Sequence, residues 1–424
     1  MINLYPHQES ALELMEGRNR VAFFHDMGLG KTYTGAEKAI RMGATITLVV
    51  CQKSKVQDWV NHFKEHYSLP VYDLTSKKDF ERFFEMWDLI DGFVGIVNYD
   101  LAWRRKELLQ LKDFTLILDE SSLIQNRKTN RTKFILRLKP QNIILLSGTP
   151  TAGKYENLWS QMHLLGWDIS ESTYNFQYVN WKKIYVKGGI LRNVVNKDDP
   201  YKNVERLKQK MREHGCHFLK TEDVLDLPKQ TFIQMNVPVS REYKRFLKDR
   251  IVKVDDLEFV GDSILSFRLY QRMLCTAFNE NKVQAFKDLL ESTQDRLVVF
   301  YNFKHELDVL QKACVDLDRP YSVVNGTIKD LTAYEQESNS VTFVQYKAGA
   351  MGLNLQKANK IIYFSLTEEA ELFEQSKKRI HRIGQEQPCF YYLLICPNSI
   401  EDQEILPMLN IRKEYSDVLF EETI

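Results

Sequence analysis

The chain has 424 residues, of which 27% are charged and 44% are hydrophobic, and its 58 basic and 57 acidic residues leave a net charge of +1. This composition is typical of globular proteins and excludes a largely disordered or strongly basic chain. The length predicts about two to three domains, and neither a signal peptide nor a membrane-spanning run is apparent, so we expect a soluble protein of a reducing cytoplasm with no membrane partner.

A glycine-rich loop follows the first predicted strand. Residues 21–24 form an apolar run of strand type, and His-Asp-Met-Gly-Leu-Gly-Lys-Thr occupies residues 25–32 before a predicted helix. Such a loop turns backbone N–H groups and a helix N-terminus toward an anion. Lys31 is predicted to reach the β- and γ-phosphates of a nucleotide, and Thr32 to offer its hydroxyl to Mg²⁺. A glycine turn without a ligand is the alternative.

Two later strands end in polar residues. Asp119 and Glu120 follow the apolar run at 116–118, and Ser-Gly-Thr-Pro follows the run at 143–146. Paired carboxylates repel each other, and a magnesium nucleotide relieves that repulsion, with Asp119 holding the metal ion and Glu120 orienting the attacking water. Three such strand ends fit one parallel sheet with a ligand at its carboxyl edge. A solvated strand end is the alternative for the acidic pair.

The pattern changes after residue 166. Residues 181–213 hold ten basic and four acidic residues, with aromatic residues in or beside them. We predict an insertion that is helical near 204–214 and that either contacts DNA or is a solvated surface. Residues 241–278 are predicted to be helical, and later apolar runs predict the strands of a second α/β lobe at 297–300, 322–324, 341–344, 361–364 and 391–395.

A basic segment lies at residues 375–385. Arg379 and Arg382 are three residues apart, so on a predicted helix they share a face. Guanidinium groups of this kind stabilise the charge of a γ-phosphate in the transition state. A solvated basic helix is the alternative.

In this order and wording, the segments resemble the Swi/Snf-type DNA-dependent ATPases of helicase superfamily two, and among them the compact members found in bacteria and their viruses. The resemblance is most specific at residues 26–32, 119–120, 148–150 and 379–385, and softer at 4–8, 49–59, 96–99, 126–133, 297–303 and 345–355. It implies an α/β protein of two RecA-like, doubly wound parallel-sheet lobes in tandem, with a cleft between them and a partly helical insertion. The expected boundaries are lobe 1 at 1–166, the insertion at 167–228, a largely helical connection at 229–281, lobe 2 at 282–398 and a helical tail at 399–424.

The resemblance also assigns residues to roles. The catalytic residues are expected to be Lys31, Asp119, Glu120, Arg379 and Arg382. ATP is expected to contact Gln8, Gly28, Leu29, Gly30, Lys31, Thr32 and Gln385, with Mg²⁺ held by Thr32 and Asp119. Coupling residues are expected to be Ser147, Gly148, Thr149, Gly352 and Asn354. Nucleic acid is expected to contact Lys53, Ser54, Asn98, Tyr99, Asn302, Lys347, Ala348 and Gly349.

The function implied is an ATP-dependent motor, expected to be a monomer, that moves along DNA in the cytoplasm of a bacterium or of a virus's bacterial host. Double-stranded DNA is the favoured track, and single-stranded DNA is possible. A strand-separating DNA or RNA helicase and a non-catalytic, nucleotide-gated DNA clamp are the alternatives. The chain departs from the family at Ser121 and Ser122, where Ala-His is usual and the histidine helps to couple the metal site to the Ser-Gly-Thr segment; looser coupling is therefore expected.

Overall fold

The structure is a computed structural model that describes residues 2–86, 92–186, 190–349 and 352–421. The chain divides into two units. The first comprises Met1–Val224 together with Glu414–Ile424, and the second comprises Leu225–Lys413. Within the described ranges, no helix is both long enough and apolar enough to cross a membrane.

The described part of the first unit contains a sheet of seven strands in the order β3-β4-β2-β5-β6-β1-β9, with every neighbouring pair parallel. The strands are β1 (Arg20–His25), β2 (Ile46–Cys51), β3 (Val71–Asp73), β4 (Phe93–Asn98), β5 (Phe114–Asp119), β6 (Asn142–Ser147) and β9 (Cys216–Leu219). The helices are α1 (Pro6–Leu14), α2 (Lys31–Arg41), α3 (Val56–His66), α4 (Lys77–Met86), α5 (Tyr99–Ala102), α6 (Asn130–Ile135), α7 (Trp159–Leu164), α8 (Glu171–Tyr178) and α9 (Val204–Glu213).

Both faces of this sheet are buried. Successive strand residues point to opposite faces, so Phe23 packs with Trp59 and Phe63 of α3, whereas Phe24 belongs to the core on the other face, with Met162 of α7. Because helices cover both faces, the central strands are almost continuously apolar. This explains why the sequence predicts them readily.

The second unit repeats this architecture. Its sheet has the order β10-β18-β17-β13-β16-β14-β15 within the described residues, parallel except for the β14–β15 pair. The strands are β10 (Gln230–Asn236), β13 (Leu297–Tyr301), β14 (Tyr321–Val324), β15 (Lys329–Asp330), β16 (Val341–Gln345), β17 (Lys360–Tyr363) and β18 (Cys389–Ile395). The helices are α10 (Arg241–Asp249), α11 (Ile264–Cys275), α12 (Glu280–Ser292), α13 (Lys304–Asp316), α14 (Thr332–Gln336), α15 (Tyr346–Gly349) and α16 (Ala370–Lys377). The predicted pair of parallel-sheet α/β lobes is confirmed.

The expected lobe boundaries differ from the structure. Cys216–Leu219 lies within the predicted insertion but pairs with β1, and Gln230–Asn236 lies within the predicted helical connection but pairs with β18. Both are edge strands, and exposed and half-buried residues alternate along Gln230–Asn236. Edge strands lack the apolar runs of central strands, so composition alone assigned both segments wrongly.

Two hairpins lie outside the strands that the sequence predicts. β7 (Trp181–Val186) pairs with β8 (Ile190–Val195) inside the insertion, and β11 (Ile251–Val254) pairs with β12 (Leu257–Val260) inside the predicted helical stretch 241–278. The second hairpin forms because Arg250, the residue after α10, lies in the left-handed region with φ +59° and ends the helix, and Asp255 with φ +52° makes the turn.

Among the described residues, the C-terminal segment is helical from Glu401 to Phe420. A π-helix at Glu401–Ile405 leads into α17 (Leu406–Phe420), and residues from Glu414 onward belong to the first unit. Leu419 is buried in the core of that unit, and the Tyr155 hydroxyl donates to the Tyr415 carbonyl at 2.7 Å.

A buried ion pair joins the start of α12 to the π-helix in the second unit. Lys282 Nζ lies 2.5 Å from Glu401 Oε2, and their side chains are 0% and 2% exposed. Burial alone would lower the pKa of Lys282, yet Glu401 raises it, so the ammonium keeps its charge. Each charge therefore depends on the other for its stability.

We expect Glu401→Gln to lower the free energy of unfolding of the second unit by about 3–5 kcal/mol, because it leaves the Lys282 charge buried without a counterion. Urea denaturation measures this cost. The matched control is Glu335→Gln, whose partner Lys357 is exposed, and its cost is expected to stay below about 1 kcal/mol. Equal costs for the two variants would contradict the role given to burial.

Candidate functional site

The glycine-rich loop connects β1 to α2, as predicted. Gly28 and Gly30 adopt φ values of +88° and +71°, a region that other residues enter only with strain. A Cβ on Gly30 would lie 2.2 Å from Gln8 Nε2. Any side chain at position 30 would thus displace Gln8, and the loop needs glycine there for two separate reasons.

Gln8 lies against the loop. Its Nε2 donates to the carbonyls of Leu29 and Gly30, both at 3.2 Å, while its Oε1 accepts from the backbone N–H of Tyr5 at 2.9 Å. His7 also lies 3.1 Å from the Leu29 carbonyl. The structure therefore brings Gln8 to the glycine-rich loop, and its recognition of adenine stays a prediction.

The Lys31 ammonium lies at the start of the same loop. It donates to the carbonyls of His25 and Asp26 at 2.9 and 3.1 Å. A Cβ on Gly148 would be 3.5 Å from Lys31 Nζ and 3.4 Å from the His25 carbonyl. Both are ordinary contact distances, so the Ser-Gly-Thr segment lies next to Lys31.

The acidic pair ends β5, which neighbours β6 in the sheet. Asp119 Oδ2 accepts from Trp59 Nε1 at 2.9 Å. Burial raises the pKa of the Asp119 carboxyl, while the Trp59 hydrogen bond and the Lys31 charge act in the opposite direction. A carboxylate held in this way, with Thr32 at the loop, is a hard oxygen donor set of the kind that Mg²⁺ takes.

Glu120 has an unusual backbone. Its φ of +52° is strained for a residue with a side chain, and strain of this kind is concentrated at functional sites. The Ser147 hydroxyl lies 3.5 Å from Glu120 Oε2 and accepts from the Thr149 N–H at 3.2 Å. Glu120 and the predicted coupling segment are therefore in contact, as the sequence predicted from their strand ends.

A histidine pair lies behind the loop. His25 Nε2 and His217 Nδ1 are 2.8 Å apart, where β1 pairs with β9. Burial lowers the pKa of His25 well below its ordinary value, and His217 and Lys31 act in the same direction. Burial also lowers the pKa of His217. The pair is neutral at physiological pH, and sequence reasoning missed it because β9 was not predicted.

Ser121 and Ser122 stand where Ala-His was expected from the resemblance, and Ser121 forms a different set of hydrogen bonds. Ser121, which is fully buried, donates to Gln161 Oε1 at 2.7 Å, and Gln161 Nε2 donates to the Pro150 carbonyl at 2.7 Å. Gln125 donates to the same carbonyl at 3.0 Å. Gln161 therefore connects the acidic strand end to the Ser-Gly-Thr-Pro segment, and no feature of the sequence around it indicated this.

The second-unit arginines are not on a helix. α16 ends at Lys377, and residues 378–385 form turns, in which the Arg379 carbonyl accepts from the Leu355 N–H at 3.0 Å. The predicted shared helical face is wrong because Ile380 is fully buried there and Gly384, with φ +91°, turns the chain. Burial lowers the pKa of Arg382.

Gln385 belongs to the same turn. Its Nε2 donates to the carbonyls of Gln356, Ala358 and Ile380 at 3.1, 2.9 and 3.2 Å. These bonds hold the turn to the second unit's own backbone. A contact from Gln385 to ATP stays a prediction.

The predicted nucleic-acid residues of the first unit fall into two groups. Lys53 and Ser54 are exposed, and Lys53 lines a depression of about 510 Å³ together with Asn98 and Arg104. Tyr99 is buried, and its hydroxyl donates to the Asp119 carbonyl at 3.0 Å. Tyr99 therefore supports the acidic pair, whereas Lys53 is accessible to a ligand.

The predicted residues of the second unit are likewise divided. Asn302 Nδ2 donates to Ser365 Oγ at 2.8 Å and to the Leu366 carbonyl at 3.1 Å. Lys347 is exposed on α15, Ala348 is buried, and Gly349 ends that helix. Of the predicted coupling residues there, Gly352 adopts φ +74° and Asn354 is exposed.

Comparisons with known proteins agree with the motifs. The model of the SNF2-related domain matches residues 7–289, and that of the helicase conserved C-terminal domain matches residues 281–384. The chain is similar to "SWI/SNF-related matrix-associated actin-dependent regulator of chromatin subfamily A member 1" of Mus musculus, at 24% identity over 423 residues that cover 89% of this chain and 39% of that protein. It is similar to "Uncharacterized ATP-dependent helicase YqhH" of Bacillus subtilis at 23% identity, covering 95% of this chain and 77% of that protein.

Among solved structures, the "Sulfolobus solfataricus SWI2/SNF2 ATPase core in complex with dsDNA" aligns with a TM-score of 0.46 and 18% identity, over 100% of this chain and 94% of that one. This chain spans about two fifths of the length of the mouse relative.

The Ser121–Gln161 contact can be tested by a double-mutant cycle. We expect Gln161→Leu to cost about 1–3 kcal/mol of unfolding free energy, because it leaves the buried Ser121 hydroxyl without its acceptor. Adding Ser121→Ala should cost clearly less than the sum of the two single changes. Urea unfolding gives each value. As a control, Ser121→Ala combined with Thr115→Val, near the other end of β5, should be additive; additivity of the Ser121–Gln161 pair would refute the contact.

Proposed function

Because the chain belongs to the SNF2-related family, we propose that it is a DNA-stimulated ATPase that couples hydrolysis of Mg-ATP to movement along double-stranded DNA. One observation carries this proposal. The loop with Lys31, the acidic pair Asp119-Glu120 and the segment from Ser147 meet at the carboxyl ends of the adjacent strands β1, β6 and β5. Ligands of open α/β sheets bind at this edge.

The residues of the first lobe divide the work of hydrolysis. Loop N–H groups and the start of α2 bind the phosphates, and Lys31 places a positive charge on them. Glu120 accepts the proton of the attacking water and is oriented by Ser147. Asp119 and Thr32 would hold Mg²⁺, which supplies further positive charge to the phosphates. From the second lobe, Arg379 and Arg382 stabilise the charge of the γ-phosphate.

Coupling to DNA follows from the contacts around Glu120. The Ser147 hydroxyl and the bridge through Gln161 connect the acidic pair to the segment 147–150 by two separate routes. Movement of the γ-phosphate is thus transmitted to that segment. DNA is contacted mainly at its phosphates, for which the exposed Lys53 and Lys347 are suited, so movement does not depend on sequence.

The test is ATP turnover by the purified chain, alone and with single-stranded DNA, double-stranded DNA or RNA, at two salt concentrations. We expect duplex DNA to stimulate turnover most and the stimulation to fade with salt. Lys31→Ala should lower turnover at least about 10²-fold, and the matched control Lys64→Ala on the exposed face of α3 should not.

The other outcomes separate the alternatives. Stimulation by single strands or RNA alone would favour a strand-separating helicase. Nucleotide binding without turnover in the unaltered chain would favour the non-catalytic clamp. Undiminished ATP turnover in Lys31→Ala would contradict the assignment of the glycine-rich loop as the ATP site.

We expect Arg382→Ala to lower DNA-stimulated turnover by about 10³-fold while ATP binding stays close to that of the unaltered chain, because an arginine of this kind acts on the transition state. Single-turnover kinetics and fluorescent-nucleotide binding measure the two quantities. Lys329→Ala, on the exposed edge strand β15, is the control and should change neither. Parallel losses of binding and turnover would make Arg382 a structural residue.

A further inference from the structure

The insertion of the first unit contains a two-stranded ribbon, formed by β7 and β8. These strands pair antiparallel with each other and form a sheet of their own, apart from the seven-stranded sheet. A two-stranded hairpin on its own is marginally stable in water. We therefore expect this separate hairpin to be stabilised by contact with a partner.

Both faces of the ribbon are exposed to solvent. Directly opposite residues share a face, so Trp181 and Tyr185 lie on one face with Leu191, and Ile184 lies on the other with Arg192. Tyr185 is 81% exposed, Leu191 46% and Trp181 42%. Large apolar side chains grouped on the surface in this way indicate a contact site.

The charge of the ribbon has one sign. Residues 181–197 contain five basic residues and neither aspartate nor glutamate, although the whole chain is almost neutral. Lys182, Lys183 and Arg192 are exposed on its described strands. A local field of this sign attracts a polyanion even when the net charge is near zero.

The base of the ribbon is fixed to the candidate site's own segment. Asn180 and Asn196 join the two strand ends through a backbone bond of 2.8 Å, and Val179 bridges to Tyr201. The Tyr201 ring stacks on Tyr155 with a centroid distance of 4.3 Å, and its hydroxyl donates to the Gly153 carbonyl at 3.2 Å. Residues 153–155 follow the Ser-Gly-Thr-Pro segment, so the ribbon is anchored close in sequence to the segment proposed to respond to the nucleotide.

We propose that the ribbon is a DNA-binding element that enters a groove of a duplex, with Lys182 and Arg192 contacting phosphates from one face of the ribbon and Lys183 from the other. A two-stranded ribbon has the dimensions that a DNA groove admits, and basic residues interleaved with aromatic ones suit nucleic acid better than an acidic peptide. The proposal rests on the proposed function, because it gives the proposed translocase an additional contact with the DNA along which it moves.

The test compares the combined variant Lys182→Gln, Lys183→Gln, Arg192→Gln with the unaltered chain, using a fluorescent duplex of random sequence in a salt titration. We expect about tenfold weaker binding and a salt slope that is smaller by about 2–3, since each lost phosphate contact removes about 0.9 from the slope. ATP turnover without DNA should not change. The matched control, Lys77→Gln, Lys78→Gln, Lys112→Gln, removes the same charge from exposed positions elsewhere in the lobe.

Three results would overturn the proposal. They are equal affinities and slopes for the variant and the unaltered chain, an equal loss in the control variant, or a loss of DNA-free turnover showing that the ribbon supports the fold. A variant of Lys182 and Lys183 to arginine should keep the salt slope, which separates charge from folding. Tyr185→Ser should weaken duplex binding; a defect confined to unwinding of forked DNA would instead make the ribbon a strand-separating wedge.

Failure of the proposed function is distinguishable from failure of this proposal. The first is judged by stimulation of turnover in the unaltered chain. The second is judged by the difference in binding between variants, which needs no hydrolysis.

Discussion

The candidate site depends on one constraint, the parallel pairing of β1 between β6 and β9. Because parallel strands end at the same edge, the loop after His25 meets the segment after Ser147 without any long-range loop to position either. The constraint extends on both sides: β5 brings Glu120 beside Ser147, and β9 brings His217 behind His25. These contacts therefore begin from backbone pairing in the sheet, whereas Gln8, Trp59 and Gln161 reach the site from helices.

The parts of the site that could be predicted from the sequence are those in which a strand run and its chemistry are adjacent in the chain. Lys31 and Asp119 are of this kind, and their closeness to each other can be inferred once the strands are known to be parallel. Trp59, His217 and Gln161 could not be found, because each reaches the site from a distant segment and has an ordinary structural role at its own position. The spacing of a helix also misled the interpretation of Arg379, where the burial of Ile380 and a glycine turn prevail over local periodicity.

A similar difference in local sequence signal explains which strands of the fold could be predicted. Central strands are buried on both faces, so their apolar runs are visible in the sequence, and the two lobes were predicted correctly. Edge strands and hairpins have at least one exposed face, and their sequences resemble those of loops or polar helices. The ribbon at 181–195 was hidden for this reason, and its exposed aromatic residues were visible only as an enrichment in composition.

The first unit is discontinuous along the chain, since it takes up residues 414–421 as well as those before 225. During translation, the segment up to Val224 leaves the ribosome while Leu419, which completes its core, has not yet been made. The nascent first unit must therefore persist with an uncovered apolar surface until the whole second unit has been synthesised. Folding of the two lobes is thus expected to finish together, and a fragment ending at residue 224 would retain that surface permanently.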